Sequence, residues 1–124
     1  MTQRLLMIED EDDIREVAAT ALEVLGGFSV ATASSGEEGL SVAAASQPDG
    51  ILLDVMMPGL DGPSTLRRLR EQPSTATIPV VFLTASVQSA ELAALQDLDC
   101  AGVIAKPFDP VTLADRVREV FGWA

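Results

Sequence analysis

The chain has 124 residues, a formal net charge of −11 and an apolar fraction of 48%, which together predict one globular domain with a substantial core. The negative charge argues against binding to nucleic acid phosphates or to anionic membrane surfaces, since both need Lys and Arg. The sequence contains no His, which excludes Ser-His-Asp catalysis and metal sites built on imidazole.

The chain begins with a short apolar run, residues 5–8, which predicts a strand buried on both faces. The acidic residues 9–13 follow directly. A helix comes next, and Asp12 or Asp13 is expected to cap its N-terminus. Gly26 and Gly27 end this helix. The residues with helical apolar spacing, predicted to form its apolar side, are Ile14, Val17, Ala18, Ala21, Leu22 and Leu25.

The second strand, residues 28–33, alternates apolar and small polar residues, so one of its faces is expected to be more exposed. The second helix is predicted to begin at Ser34, Ser35 or Gly36, because hydroxyl side chains and glycine are favoured at helix N-termini. Its apolar side is predicted to consist of Leu40, Ala43 and Ala44.

The centre of the chain carries a third apolar run, residues 51–53, that ends on Asp54. An acid at the carboxyl end of a central strand lies where ligands bind in open α/β sheets. Taken alone, Asp54 could equally cap a turn, because Asp is a favoured turn residue. Residues that break regular structure follow at once, namely Pro58, Gly59, Asp61 and Gly62.

The third helix is predicted to run from residue 63 or 64 to about residue 71, where Pro73 stops it. A fourth apolar run, residues 80–83, is interpreted as another buried strand and ends on Thr84. The segment 89–98 carries a weaker helical pattern and is predicted to be the fourth helix. The inward-facing residues of these two helices are predicted to be Leu66, Leu69, Leu92, Ala93 and Leu95.

The last strand, residues 103–105, is short and ends on Lys106 and Pro107. Asp109 is then expected to cap a final helix that has Pro110 at its first position. The inward-facing residues of that helix are predicted to be Ala114, Val117, Val120 and Phe121, with Leu113 at their border. Five βα units in succession predict an α/β fold with a parallel sheet between two layers of helices.

Polar side chains follow four of the predicted strands, and they are Glu9 and Asp10, Asp54, Thr84, and Lys106. In a parallel sheet all four strand ends lie along the same edge. Each residue alone has an ordinary interpretation, such as a helix N-terminus, a turn, a strand-end hydroxyl or a solvated charge. Their coincidence at one edge instead favours a shallow site with two or three carboxylates, a hydroxyl and an ammonium group.

This set of groups fits phosphoryl transfer to a carboxylate. An Asp nucleophile can form an aspartyl phosphate. The negative oxygens of the phosphoryl group must be neutralised during attack, and a divalent cation together with Lys106 can do this. Mg²⁺ prefers hard oxygen ligands, which two carboxylates and a backbone carbonyl supply. Thr84 can donate a hydrogen bond to a phosphoryl oxygen.

These residues resemble those of response regulator receiver domains, the phosphoacceptor modules of two-component signalling. The resemblance covers essentially the whole chain. It is carried by Ile8-Glu9-Asp10-Glu11, the stretch Leu53-Asp54-Val55-Met56-Met57-Pro58-Gly59-Leu60-Asp61-Gly62, Leu83-Thr84-Ala85 and Lys106-Pro107-Phe108. It implies a doubly wound (βα)5 fold of the flavodoxin-like type, a three-layer sandwich whose five-stranded parallel sheet has the order 2-1-3-4-5.

The resemblance also implies a role for each residue of the strand-end set. Asp54 is the implied phosphoacceptor. Glu9, Asp10, Asp54 and the backbone carbonyl of Met56 are the implied Mg²⁺ ligands. Thr84 is the implied switch residue and Lys106 the implied phosphate contact. The Lys106-Pro107 peptide bond is expected to be cis, as in the family.

Three positions depart from the usual family pattern. Glu9 stands where Asp is more common, so its longer arm is expected to reach the metal directly or through water. Val103 stands where many members have Tyr or Phe, so the usual coupling of an aromatic ring to Thr84 is not expected. Met56 and Ser86 occupy positions that modulate the lifetime of the phosphoryl group in the family.

The function implied by the resemblance is a phosphorylation switch. The phosphodonor would be a histidine kinase or a histidine phosphotransfer protein. Residues 1–124 are expected to be one receiver domain with no output domain. The signal would then pass to a separate protein through the surface of the fourth helix, the last strand and the last helix. Neither nucleic acid nor membrane is an expected partner.

Two other functions are compatible with parts of the pattern. A receiver fold that acts without phosphate, as a protein-interaction module, is the alternative that shares all of the elements. A phosphatase resembling the haloacid dehalogenases also uses an Asp nucleophile. It needs a second acid two residues later, where this chain has Met56, and a cap over its substrate, for which the chain has no room.

The same sequence features suggest a cytoplasmic protein. Cys100 is the one cysteine, so an internal disulfide cannot form, which fits a reducing compartment. It is interpreted as a small packed residue rather than as a nucleophile, since no His can activate it. No apolar run is long enough to cross a membrane, and the N-terminus lacks a signal-peptide pattern.

Overall fold

The computed structural model describes residues 2–85 and 88–123, in which five strands alternate with five helices. The strands are β1 (Arg4–Ile8), β2 (Ser29–Ala33), β3 (Gly50–Asp54), β4 (Val80–Thr84) and β5 (Gly102–Ala105). The helices are α1 (Asp12–Val24), α2 (Gly36–Ser46), α3 (Gly62–Glu71), α4 (Ser89–Gln96) and α5 (Leu113–Phe121). The predicted succession of βα units is therefore confirmed.

All strand pairs are parallel, and the sheet has the order β2-β1-β3-β4-β5. This confirms the predicted flavodoxin-like arrangement. The three central strands are buried almost throughout, which explains their uninterrupted apolar sequences. Strand β2 is at one edge of the sheet and is only partly covered, as its alternating sequence predicted.

The core is divided by the sheet into two clusters, because neighbouring residues of a strand point to opposite faces. On one face, Met7, Leu52 and Leu83 pack with residues of α1 and α5. On the other face, Leu53 and Phe82 pack with residues of α2, α3 and α4. The fold is therefore the predicted three-layer sandwich.

Helix α1 differs from the prediction at its flanks and at its N-terminus. Ala18, Ala21 and Leu22 are buried, but Val17 and Leu25 are exposed. The apolar spacing predicted too wide a buried stripe, because the helix rests on the sheet along one narrow face. The N-cap residue is Glu11, which makes no side-chain cap hydrogen bond. Asp12 and Asp13 lie in the first turn instead, where the helix dipole favours a negative charge.

The N-termini of α2 and α3 are fixed by side-chain caps. The hydroxyl of Ser35, one of three predicted start positions, accepts a hydrogen bond from the backbone N–H of Glu38 at 3.1 Å. Helix α3 begins at Gly62, slightly earlier than predicted, because the Asp61 carboxylate accepts the N–H of Ser64 at 2.8 Å. Leu66 and Leu69 are buried as predicted.

Two further positions on the predicted inner sides of helices are exposed in the structure. Ala44 lies on the outer side of α2, and Ala93 lies on the outer side of α4. Helix α4 also ends at Gln96, two residues earlier than predicted. A methyl group alone carries little information about which side of a helix faces the core.

The start of α5 was wrong in the prediction. The Asp109 carboxylate accepts the N–H of Val111 at 2.9 Å, but residues 110–112 form a turn and the α-helix begins at Leu113. The Asp-Pro pair is equally favourable in a turn and at a helix N-terminus, so the sequence signal did not distinguish them. The Lys106-Pro107 bond before this turn is cis, as predicted.

Candidate functional site

Three polar side chains are buried at the carboxyl edge of the sheet. Glu9 follows β1 directly and is 0% exposed, while Asp54 and Thr84 end β3 and β4 and are each 3% exposed. Charged groups are almost never fully buried unless they are paired. The edge therefore brings together the strand ends that the sequence singled out and places them out of contact with bulk water.

Lys106 pairs with both buried carboxylates. Its Nζ donates to Glu9 Oε1 at 2.7 Å and to Asp54 Oδ1 at 3.1 Å, and its side chain is 12% exposed. Each contact is a charge-assisted hydrogen bond. One ammonium group thus serves two carboxylates, which leaves an excess of negative charge whenever both acids are ionised.

Thr84 belongs to the other face of the sheet. By the alternation along each strand, Asp54 continues the row of Leu52, whereas Thr84 continues the row of Phe82. Thr84 lines a groove with Val55, Met56, Ala85 and three residues of α4, namely Glu91, Ala94 and Leu95. Thr84 therefore lies beside the segment that follows β3, in the groove that this segment forms with α4.

Burial raises the pKa of Glu9 to about 7. A hydrogen bond with Asp54 adds to this increase, and the contacts with Lys106 oppose it. Because folding raises this pKa, the protonated carboxyl stabilises the fold. That contribution is fully present below the ordinary pKa of 4.5 and is lost as the pH rises through about 7.

Lys106 remains charged in this site. Burial alone would lower its pKa, but the hydrogen bonds and charges of Glu9 and Asp54 outweigh burial and raise it. The ammonium group of Lys106 is therefore positively charged at neutral pH, next to the Glu9 carboxyl group, which can lose its proton in that range.

The three acids at this edge could hold a metal ion. Glu9, Asp10 and Asp54 each offer a carboxylate oxygen, and these atoms all lie within 4.8 Å of one another. The donor set consists of hard oxygens, which fits Mg²⁺, and a divalent ion would balance the charge that Lys106 leaves uncompensated. The side chain of Met56 is exposed, while its carbonyl as a further ligand stays a prediction.

Gly62 lies against the backbone at the end of β3. A Cβ atom at this position would lie 2.5 Å from the carbonyl oxygen of Asp54 and 2.8 Å from the Cα of Val55. Any side chain would therefore push the end of β3 away from α3. The sequence had suggested only a turn for the pair Asp61-Gly62, and the close backbone approach adds a reason for glycine.

Sequence reasoning missed Arg15. Its Nη1 donates to the backbone carbonyl of Glu9 at 2.8 Å, and its Nη2 pairs with the Asp12 carboxylate at 2.5 Å. The sequence signal that could have found this residue is the spacing of Asp12 and Arg15, an acid and a cation three residues apart at the start of a helix. That signal predicts the ion pair but not the contact with Glu9.

Ser86, at which the sequence suggested an effect on phosphoryl lifetime, lies outside the described residues. Val103 is described and packs against the core cluster on the side of α2, α3 and α4. It is half-buried there and adds no aromatic ring to this side of β5.

The chain belongs to the response regulator receiver domain family, whose model matches residues 5–118. It is therefore a receiver domain of two-component response regulators. Among curated proteins it is similar to the transcriptional regulatory protein CseB of Streptomyces avermitilis, with 40% identity over 116 residues, which cover 94% of this chain and 48% of that protein. CseB of Streptomyces coelicolor matches with the same identity and coverage.

Solved structures agree with this membership. The chemotaxis protein CheY4 of Vibrio cholerae aligns with a TM-score of 0.88 at 28% identity, covering 97% of this chain and 99% of that one. A putative response regulator from Chloroflexus aurantiacus aligns with a TM-score of 0.87 at 33% identity, covering 98% and 99%.

The chain spans about half the length of the curated relatives it matches. Those relatives are named as transcriptional regulators, so the expected absences of an output domain and of a nucleic acid partner stay predictions. In residues 2–85 and 88–123, no helix is long and apolar enough to cross a membrane. The cytoplasmic location also stays a prediction.

Proposed function

We propose that this receiver domain is a Mg²⁺-dependent phosphoacceptor in which Asp54 takes a phosphoryl group from a histidine kinase or a histidine phosphotransfer protein. The observation that carries this proposal is the buried Asp54 carboxylate, which contacts Lys106 and lies in one oxygen cluster with Glu9 and Asp10. The proposal is supported by this proximity of a candidate nucleophile, a cation and three acids that could hold a metal ion.

The transfer is a displacement at phosphorus. A carboxylate oxygen of Asp54 forms a bond to phosphorus as the bond between phosphorus and the donor imidazole nitrogen breaks, and that nitrogen keeps the electron pair. Glu9, Asp10, Asp54 and the Met56 carbonyl would hold Mg²⁺, which neutralises phosphoryl oxygens when bound. Lys106 then has a new anionic partner in the phosphoryl group, in place of the Asp54 oxygen that it contacts without phosphate.

The metal site can be tested without phosphate. Mg²⁺ is expected to raise the thermal stability of the wild-type protein, because the ion binds the folded acid cluster and relieves repulsion in it. The Asp10→Asn and Asp54→Asn variants should be more stable than the wild type without Mg²⁺ and should gain little when it is added. Thermal unfolding with and without Mg²⁺ provides the measurement.

Asp115→Asn is the matched control for this test. It removes the same charge from an exposed acid in the first turn of α5, outside the cluster of Glu9, Asp10 and Asp54. This variant should keep most of the Mg²⁺-dependent stabilisation. A Mg²⁺ effect that is absent from the wild type, or equal in all four proteins, would contradict the proposed site.

The output surface is proposed to be formed by α4, β5 and α5 and to be read by a downstream protein. Phosphate on Asp54 gives the Thr84 hydroxyl a charged acceptor. Thr84 and residues of α4 line the same groove, so a displacement of Thr84 reaches that helix directly. Val103 is expected to contribute little, because it has no ring to rearrange.

Amide chemical shifts with and without beryllofluoride, a mimic of the phosphoryl group, test this coupling. Large shifts are expected in residues 84–106 as well as around Asp54, since ligand contacts shift the population between two states. Part of the loop in question, residues 86 and 87, lies outside the described residues. Shifts confined to residues 9–13 and 54–62 would exclude this output mechanism.

A further inference from the structure

Arg15 reaches from α1 back to the loop that carries Glu9 and Asp10. Its guanidinium donates to the backbone carbonyl of Glu9 at 2.8 Å while pairing with Asp12 at 2.5 Å. We propose that Arg15 is a positioning residue for the Mg²⁺ ligands Glu9 and Asp10. This inference rests on the proposed function, since it assigns a role within the same site.

The contacted carbonyl belongs to the peptide group that joins the two ligands. A peptide group is planar, so a restraint on its oxygen also limits the movement of its N–H and of the two flanking Cα atoms. The N–H of Glu9 is held separately, by the carbonyl of Ala33 at 3.0 Å. With both sides of Glu9 bonded, the direction in which the Asp10 side chain leaves the backbone is restrained by Arg15.

Lys106 holds the Glu9 side chain at 2.7 Å, but the side-chain contacts around Glu11 are weak. The N-cap residue Glu11 makes no side-chain cap hydrogen bond, and its N–H lies 3.5 Å from Glu9 Oε2, at the limit for a hydrogen bond. Arg15 itself is well held, because its side chain is only 18% exposed and both ends of its guanidinium have partners.

Charge and geometry predict opposite effects for the loss of Arg15. The guanidinium is a positive charge near three acids, so charge alone predicts tighter Mg²⁺ binding when it is removed. Loss of positioning predicts weaker binding, and removing groups that orient metal ligands typically costs about 10- to 100-fold in affinity. The sign of the change therefore separates the two explanations.

The experiment measures the Mg²⁺ affinity of the folded protein by isothermal titration calorimetry. The proteins compared are the wild type, Arg15→Met, Arg15→Lys and Arg116→Met. Methionine keeps the length and helix propensity of the side chain but cannot donate to Glu9. Arg116→Met removes the same charge from an arginine that pairs with Glu119, three residues away on α5. We expect about tenfold weaker binding for Arg15→Met, at the lower end of that range.

Two further arms complete the comparison. Arg15→Lys keeps a positive charge and a donor, so its affinity should lie between those of the wild type and Arg15→Met. Arg116→Met should bind Mg²⁺ at least as tightly as the wild type. If the wild type binds Mg²⁺ and Arg15→Met binds it equally or more tightly, the positioning role is wrong. If the wild type does not bind Mg²⁺, the proposed function fails and this inference fails with it.

Discussion

Asp54→Asn is expected to abolish phosphorylation of the chain. With Mg²⁺ and acetyl phosphate, the wild-type protein should gain one phosphoryl group, because the buried Asp54 carboxylate lies next to Lys106 and to two acids that could hold a metal ion with it. An amide at this position has a similar shape but is a very poor nucleophile toward phosphorus. Intact-protein mass spectrometry measures the modified fraction, and tryptic peptides locate it.

Asp115→Asn serves as the control, since it removes an exposed acid of α5 that has no contact with the buried site. This variant should be labelled like the wild type. Labelling of Asp54→Asn at the wild-type level would show that Asp54 is not the acceptor. A folded wild-type protein that binds Mg²⁺ but accepts no phosphate, from acetyl phosphate or from a phosphorylated kinase, would instead favour the phosphate-independent interaction module.

Lys106→Met is expected to destabilise the protein strongly, and more at high pH than at low pH. The variant leaves the buried carboxyls of Glu9 and Asp54 without their shared cation, and breaking a buried ion pair in this way typically costs about 3–5 kcal/mol. The pKa of Glu9 should rise further, because Lys106 lowers it in the wild type. Protonation of Glu9 then relieves most of the cost near pH 5, whereas at about pH 8 the cost is paid in full.

Urea unfolding at the two pH values, in the presence of a chelator, measures this difference. Addition of Mg²⁺ at the higher pH should restore part of the lost stability, since the ion supplies the missing positive charge. Arg116→Met is the matched control, because it removes a cation from a partly exposed pair on α5 and should change the stability by less than about 0.5 kcal/mol. Equal losses at both pH values would mean that the methionine disturbs packing rather than charge.

The sequence predicted the fold well where a single physical cause dominates. Strands β1, β3 and β4 are covered on both faces, so each had to be a continuous apolar run. The parallel order then placed Glu9, Asp54 and Lys106 at one edge without any knowledge of side-chain geometry. Family resemblance added the strand order and the cis bond, which spacing alone does not determine.

Other features depend on distances that no sequence pattern encodes. The spacing of apolar residues in α1 could not show how wide a stripe the sheet would cover, and Val17 and Leu25 are exposed as a result. The contact of Arg15 with Glu9 depends on how closely α1 approaches the end of β1. The sharing of Lys106 between two acids likewise depends on how far its side chain reaches from β5 past the ends of β4 and β3.

The ion pairs of Lys106 also join distant parts of the chain. The contact with Glu9 spans 97 residues and the contact with Asp54 spans 52. Contacts of such long sequence separation form late, because a large loss of chain entropy must be compensated first. The site therefore exists only after β5 has docked beside β4. A chain still emerging from the ribosome has Asp54, the proposed acceptor, but lacks the ammonium group that pairs with it, so the proposed site is completed only at the end of folding.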